Sequence, residues 1–283
     1  MRFSARTDLA VECVSSRSIS HGITQNTRGE NFCITEIIIE NDTDAKALGK
    51  PKGRYVTLQS SSLNGFGGDY RKMIAELADE LEKFIPQGHI MVAGLGNSGI
   101  TPDALGVYAA EGIIATRHLK TEFSDDEFFS NLRPVSVLIS GVIGKTGIET
   151  AEIIRSVAEN IKPDAIIAID ALACADMSRL GRTIQISDSG ISPGSGVQNK
   201  RKELSYNTLG IPVIAIGVPT IMDMYTIIEN FTGKKAGSDM PNMMVTPKDI
   251  DKLIKHSAEI IAYALNCALQ PDLSFEDIEE MQR

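Results

Sequence analysis

Apolar residues in this chain fall into two patterns: short unbroken runs, and stripes repeating every three or four positions. The runs are 90–93 (IMVA), 135–140 (VSVLIS), 165–169 (AIIAI), 183–187 (TIQIS) and 212–217 (PVIAIG). Glycine, proline or polar residues stand at or beside the ends of each, which predicts buried strands. A stripe of Tyr70, Ile74, Leu77, Leu81 and Phe84 predicts a helix over 69–85, closed by Pro86. A second stripe, Ile153, Ile154, Val157, Ala158 and Ile161, stops at Lys162-Pro163, and Thr146-Gly-Ile-Glu149 before it reads as a capping box. The longest stripe runs from Ile250 through Leu253, Ile254, Ser257, Ile260, Ile261 and Leu265 to Leu269, opened by Thr246-Pro247 and ended by Pro271. Shorter helices are predicted over 104–115 and 221–231, with a last acidic one from Ser274.

Toward the N-terminus, 32–40 (FCITEIIIE) and 54–59 (RYVTLQ) are rich in β-branched residues and predict two strands paired antiparallel at one edge of the sheet. A charged loop, 41–53, joins them. Residues 1–30 predict no strong element, 122–131 an acidic connection and 233–242 a loop. Strands alternate with helices over 88–232. The expected fold class is therefore α/β, a mostly parallel sheet with helices on both faces in three layers, and an antiparallel edge. No composition shift marks a linker between domains.

Charge and composition narrow the function. The 283 residues carry a formal net charge of −9, which argues against direct contact with nucleic acid. No apolar run approaches the ~20 residues that span a bilayer. The first residues, MRFSARTDLAVE, lack a signal-peptide core, so a cytoplasmic protein is expected. The cysteines 13, 33, 174 and 267 and the histidines 21, 89, 118 and 256 show no metal-ligand spacing, so no metal or other cofactor is expected.

The chemistry concentrates at 88–106, GHIMVAGLGNSGITPDALG. Gly94-x-Gly96-x-x-Gly99 follows a strand as a dinucleotide fingerprint does. The next strand, however, ends in Ser140-Gly141 with no carboxylate to hold a ribose. Gly144-Lys145-Thr146 looks like the end of a P-loop, yet Ile139 stands where that pattern needs glycine. Asp103 and Asp170 each follow a buried strand at its carboxyl end, where open α/β sheets keep their ligands. Two carboxylates facing one crevice cannot both ionise easily, which supplies a general base and a general acid. The competing reading is that each merely caps local structure. Lys145 is either a surface lysine or a cation near developing negative charge. Residues 190–196 (GISPGSG) offer backbone amides for an oxyanion, or form a plain surface loop.

These residues closely resemble the germination protease family. The motifs are Arg6-Thr-Asp-Leu-Ala-Val-Glu12, Val92-Ala-Gly-Leu-Gly-Asn97 with Thr101-Pro-Asp-Ala-Leu-Gly106, Gly141-Val-Ile-Gly-Lys-Thr-Gly-Ile-Glu149, Ile169-Asp-Ala-Leu-Ala173, Pro193-Gly-Ser-Gly196 and Gly210-Ile-Pro-Val-Ile-Ala-Ile-Gly217. The resemblance implies an endopeptidase that degrades small acid-soluble spore proteins inside the spore core during germination. It implies a homotetrameric zymogen that trims its own N-terminus, and it places the catalytic pair at Asp103 and Asp170. Gly96, Asn97, Lys145, Gly194, Ser195 and Gly196 then become supports for the oxyanion and its loops. The family cuts after an acidic residue and before an apolar one followed by Ala. Asp8-Leu9-Ala10 fits that rule, so residues 1–8 read as a propeptide and 9–283 as a single peptidase domain, although Ala5 stands where the family prefers an acid. A more distant likeness is to hydrogenase maturation endopeptidases, which share the GxGN turn and two later acids but bring a His to a metal. The alternatives are a metal-dependent peptidase of that type, for which two carboxylates alone make a weak site, and a catalytically silent binding or assembly protein.

Overall fold

The computed structural model describes residues 7–15, 23–60, 70–123, 125–194, 201–234 and 243–282. In chain order its elements are α1 (Ala10–Ser15), β1 (Ile23–Arg28), β2 (Cys33–Ile39), α2 (Asp42–Leu48), β3 (Gly53–Gln59), α3 (Tyr70–Glu82), β4 (Ile90–Gly94), a 3-10 turn (Thr101–Asp103), α4 (Leu105–Glu111), α5 (Arg117–Glu122), α6 (Glu127–Asn131), β5 (Val135–Ile139), α7 (Ile143–Thr146), α8 (Thr150–Ile161), β6 (Ala165–Ala173), β7 (Thr183–Ser187), α9 (Tyr206–Leu209), β8 (Val213–Asp223), α10 (Met224–Thr232), β9 (Met244–Val245), α11 (Ile250–Leu269) and α12 (Phe275–Met281).

The strands form one sheet in the order β1-β2-β3-β7-β8-β6-β4-β5, with β9 added to β8. Only β5, β4, β6 and β8 run parallel. The pairs β1/β2, β2/β3, β3/β7 and β7/β8 are antiparallel. The sheet is thus mixed, which corrects the expectation of a mostly parallel one. The turning point is β7. Its connection from β6, residues 174–182, is too short for the dozen or more residues of a parallel crossover, so β7 runs back. The predicted pairing of β2 with β3 is present, but they are not an edge. β1 flanks β2, and β3 joins β7.

Local expectations fail where side chains find other partners. The loop expected over 41–53 contains α2, capped by the Asn41 side chain, which accepts from the Asp44 amide, and closed by Gly49 in the left-handed region. The connection expected over 122–131 is largely helical, with Asp126 capping α6. The capping box at Thr146 does not form. Gly147, at φ 71, ends α7, and the Thr146 hydroxyl instead accepts from the Ile148 amide. Glu149 precedes α8 without a side-chain cap. The weakly patterned N-terminus supplies α1 and β1.

Helices cover both faces. On one, Ile90, Val92, Ile167, Ile169, Ile184, Ile186, Ile214 and Ile216 pack against α3, α4 and α11. On the other, Met91, Ala93, Ile166 and Ala168 pack against Ala151, Ile154 and Ala158 of α8. Farther along that face, Leu172, Cys174, Tyr55 and Ile37 are covered by Leu9, Ala10, Val11 and Val14. Between these two covered areas the sheet opens into a cleft.

Candidate active site

The cleft, about 910 Å³, is lined by both predicted acids, Asp103 and Asp170, together with Asp8, Lys50, Gly96 and Gln185. Asp170 sits in β6 opposite Gly217 of β8, and Gly217 sits opposite Gln185 of β7. Residues paired across a sheet point to the same face. Asp170 and Gln185 therefore flank a position with no side chain, a trough across the sheet. A Cβ at Gly217 would come within 2.6 Å of the Leu172 side chain and 2.7 Å of the Asp170 carbonyl oxygen, so the trough stays open only with glycine there.

Asp103 arrives from above. The turn after β4 is tied to β6 by the Leu95 amide, which donates to the Ile169 carbonyl at 2.9 Å. The N-terminus of α4 then closes down on the strand ends. A Cβ at Gly106 would meet the Ile169 carbonyl oxygen at 2.1 Å, and one at Gly94 would meet the Gly106 carbonyl oxygen at 2.4 Å. Glycines at both positions let the 3-10 turn carrying Asp103 lie over the carboxyl end of β4 and the middle of β6. The Asn97 amide donates to the Asp103 carbonyl at 2.9 Å and fixes that turn.

Electrostatics couples the two acids. Asp170 is only 5% exposed. Burial raises its carboxyl well above the ordinary value, the Asp103 charge raises it further, and Asp8 adds to the effect. Its Oδ1 accepts one hydrogen bond, from the Ala171 amide at 2.9 Å, which opposes the shift. Asp103 is half-buried and also raised, by desolvation, against the Asn97 amide. Such a pair keeps a proton on one of its members above the usual carboxylate range.

The sign of this shift makes a stability prediction. A raised folded value means that the native state binds the Asp170 proton more tightly than the unfolded chain does. The stabilisation is complete below the ordinary 3.8 and is lost as pH rises through the folded value. Asp170→Asn carries no charge at any pH. It is expected to melt a few degrees above the wild type near pH 8, with the advantage shrinking toward about pH 4. Thermal melts at the two pH values check this; a variant melting below the wild type at the higher pH overturns it.

The N-terminal segment lies in the same cleft. The Asp8 amide donates to the Ala173 carbonyl at 2.9 Å, and the Ala173 amide donates to Asp8 Oδ2 at 2.8 Å. Leu9 and Ala10 are buried. Downstream, Glu12 anchors α1: its carboxylate accepts from the Ala175 amide at 2.7 Å and the Asp176 amide at 3.1 Å. Burial nonetheless raises the Glu12 carboxyl.

Of the remaining predicted residues, Gly96 and Gly194 line the cleft wall. Asn97 holds Asp103 through its backbone amide, and its side chain accepts from the Gly99 amide at 3.0 Å within the same turn. Lys145 is exposed and is not among the described residues of the wall. Its Nζ would be 3.4 Å from a Cβ at Gly99, so it leans on the neighbouring turn. Ser195 and Gly196 lie outside the described residues. Lys50 and Gln185, which sequence reasoning missed, stand in the wall. Among the described residues no group of three or more His, Cys, Asp or Glu side chains gathers in a way that could hold a metal ion. No helix among them is long and apolar enough to cross a membrane.

The germination protease family model matches residues 6–233. A germination protease of Clostridium tetani is 40% identical over 318 residues, covering 97% of this chain and 98% of the relative. That of Caldanaerobacter subterraneus subsp. tengcongensis is 39% identical over 317 residues, covering 98% and 97%. That of Priestia megaterium is 36% identical over 357 residues, covering 98% and 96%. An α/β sheet that brings two interacting acids to one cleft is here the framework of a hydrolase acting on peptide bonds. The chain belongs to the germination protease family. It is an endopeptidase of spore germination, so a catalytically silent protein is no longer a competing reading.

Proposed function

We propose that Asp103 and Asp170 are the catalytic pair, and that the enzyme is made as a zymogen which cleaves itself between Asp8 and Leu9. Asp103, the more exposed acid, takes a proton from the attacking water. Asp170, buried and raised further, holds the proton that goes to the leaving amine. Residues 1–8 are the propeptide and 9–283 the peptidase domain. Substrates are small acid-soluble spore proteins in the spore core, cut after Glu or Asp, before an apolar residue followed by Ala. The working form is a homotetramer that touches neither nucleic acid nor membrane directly, and no cofactor is required.

The observation carrying this reading is that Asp8 lines the cleft that holds both acids, with Leu9 and Ala10 buried directly behind it. It suits the cleavage rule position by position. The acidic side chain of residue 8 receives a backbone amide. The apolar residue 9 lies in an apolar cluster with Leu172 and Ile37, and Ala10 is buried in the same cluster. Gly96 and Gly194 stand in the same wall as supports for the loops around the acids.

Incubating the full chain at mildly acidic pH and measuring intact mass tests the reading. The expected product begins at Leu9. A new N-terminus elsewhere refutes the assigned bond. The metal-dependent alternative, by analogy to hydrogenase maturation endopeptidases, predicts that a chelator stops this cleavage and that an added divalent ion restores it.

A further inference from the structure

The carbonyl oxygen of Asp8 is held by two side chains from distant parts of the chain. Lys50 Nζ donates to it at 2.9 Å and Gln185 Nε2 at 3.1 Å. Lys50 follows α2, just past the left-handed Gly49 that turns the chain back. Gln185 is a polar side chain in the middle of a buried strand, 8% exposed. Its other amide atom, Oε1, accepts from the Ala10 amide at 2.8 Å. That contact requires the amide oxygen to face Ala10 and so leaves the NH2 toward the Asp8 carbonyl. Gln185 therefore straddles the Asp8–Leu9 bond, gripping the carbonyl oxygen on one side of it and the amide of the second residue on the other.

We propose that Lys50 and Gln185 form the carbonyl-polarising site of this peptidase, binding the oxygen of the scissile bond and the negative charge it gains during attack. The inference rests on Asp8–Leu9 being the self-cleaved bond. In the step, the water oxygen bonds to the Asp8 carbonyl carbon while its proton passes to the ionised acid of the pair. The C=O π electrons move onto the oxygen, where the Lys50 ammonium and the Gln185 amide donate to it. The C–N bond then breaks, and the protonated acid gives its proton to the Leu9 nitrogen. The products are a carboxylic acid at residue 8 and an amine at residue 9, and the acid's proton then passes to the amine to leave a carboxylate and an ammonium. One water is consumed, with no net change in oxidation state.

Two side-chain donors, one of them a full cation, fit this task better than the glycine turns at 94–99 and 190–196. They already point at the carbonyl oxygen, so little reorganisation is needed when charge develops. The same pair predicts a restriction that side-chain pockets alone would not impose. Gln185 needs a free amide two residues after the cut, so proline there would leave its buried Oε1 without a donor.

Single-turnover self-cleavage of the full chain, followed by intact mass, tests the assignment. Lys50→Met and Gln185→Glu are each expected to slow release of the Leu9 product by roughly 10²–10³-fold, the loss typical of removing one oxyanion donor. Lys50→Arg, which keeps a cationic donor, should stay within about tenfold of the wild type. Hydrogen exchange at the Asp8 and Ala10 amides, measured on the same samples, is expected to be unchanged in Lys50→Met. If exchange instead speeds up in step with the loss of cleavage, Lys50 only holds the segment down and the proposal is overturned. Undiminished cleavage in both Lys50→Met and Gln185→Glu, with product starting at Leu9, sinks this proposal and leaves the cleavage site standing. A wild-type product starting elsewhere sinks both.

Discussion

Asp170→Asn and Asp103→Asn are each expected to lower kcat on a peptide with a Glu-Phe-Ala core by at least about 10³-fold, while leaving a folded protein. Asn keeps the size of each side chain and loses the ability to exchange a proton. The two acids act on one proton, so the double variant is expected to be little worse than either single one. That non-additivity separates a joint role from two independent positioning effects, which would multiply. The partners differ in what surrounds them. Asp170 is enclosed by the sheet and accepts a hydrogen bond from one backbone amide. Asp103 is open to the cleft, so activity should fall at low pH as it takes up a proton, and at high pH as the pair loses its shared one. Rates measured from about pH 4 to 9, with and without a chelator, check this. Cleavage that survives in both Asn variants removes the pair from the mechanism.

The two acids were legible in the sequence because each comes soon after a buried apolar run, Asp103 across a glycine turn and Asp170 directly. The structure differs in carrying β6 on to Ala173, so Asp170 sits inside that strand rather than past its end. Their neighbours in the sheet were not legible. The run TIQIS is compatible with either strand direction, and the direction of β7 follows from the length of a connection and from distant pairing with β3 and β8. Periodicity does not encode either one. The catalytic candidates Lys50 and Gln185 were hidden for different reasons. Lys50 stood among other charges in what read as a loop, with nothing to mark it. Gln185 did carry a signal: a glutamine inside a buried strand must find partners for its amide. Those partners are in the N-terminal segment, 175 and 177 residues away in sequence. That segment looked polar because its apolar residues, Leu9, Ala10, Val11 and Val14, occupy barely one helical turn and a half and bury only against the sheet.

Gly96→Ala is expected to damage both folding and catalysis. Gly96 has φ +101, a conformation that L side chains rarely adopt. The added Cβ would also lie 2.0 Å from the Asp103 carbonyl oxygen and 3.3 Å from its side-chain Cγ. The first of these is backbone, so no rotamer change relieves it. The chain must either leave the left-handed region or push the 3-10 turn away. Pushing the turn breaks the bond from the Asn97 amide to the Asp103 carbonyl and carries the carboxylate out of place. Backbone strain and overpacking together should cost about 3 kcal/mol of stability. A displacement near 1 Å at a reacting group costs about 10²-fold in rate. Denaturant melts and kcat on the same peptide measure the two effects. Gly144→Ala is the control, since a Cβ there meets nothing within 4 Å and the residue is inside α7. It should melt within about 0.5 kcal/mol of the wild type and cleave at the wild-type rate. If Gly96→Ala matches that control in both measurements, the turn does not place Asp103, and the acid reaches the cleft by some other support.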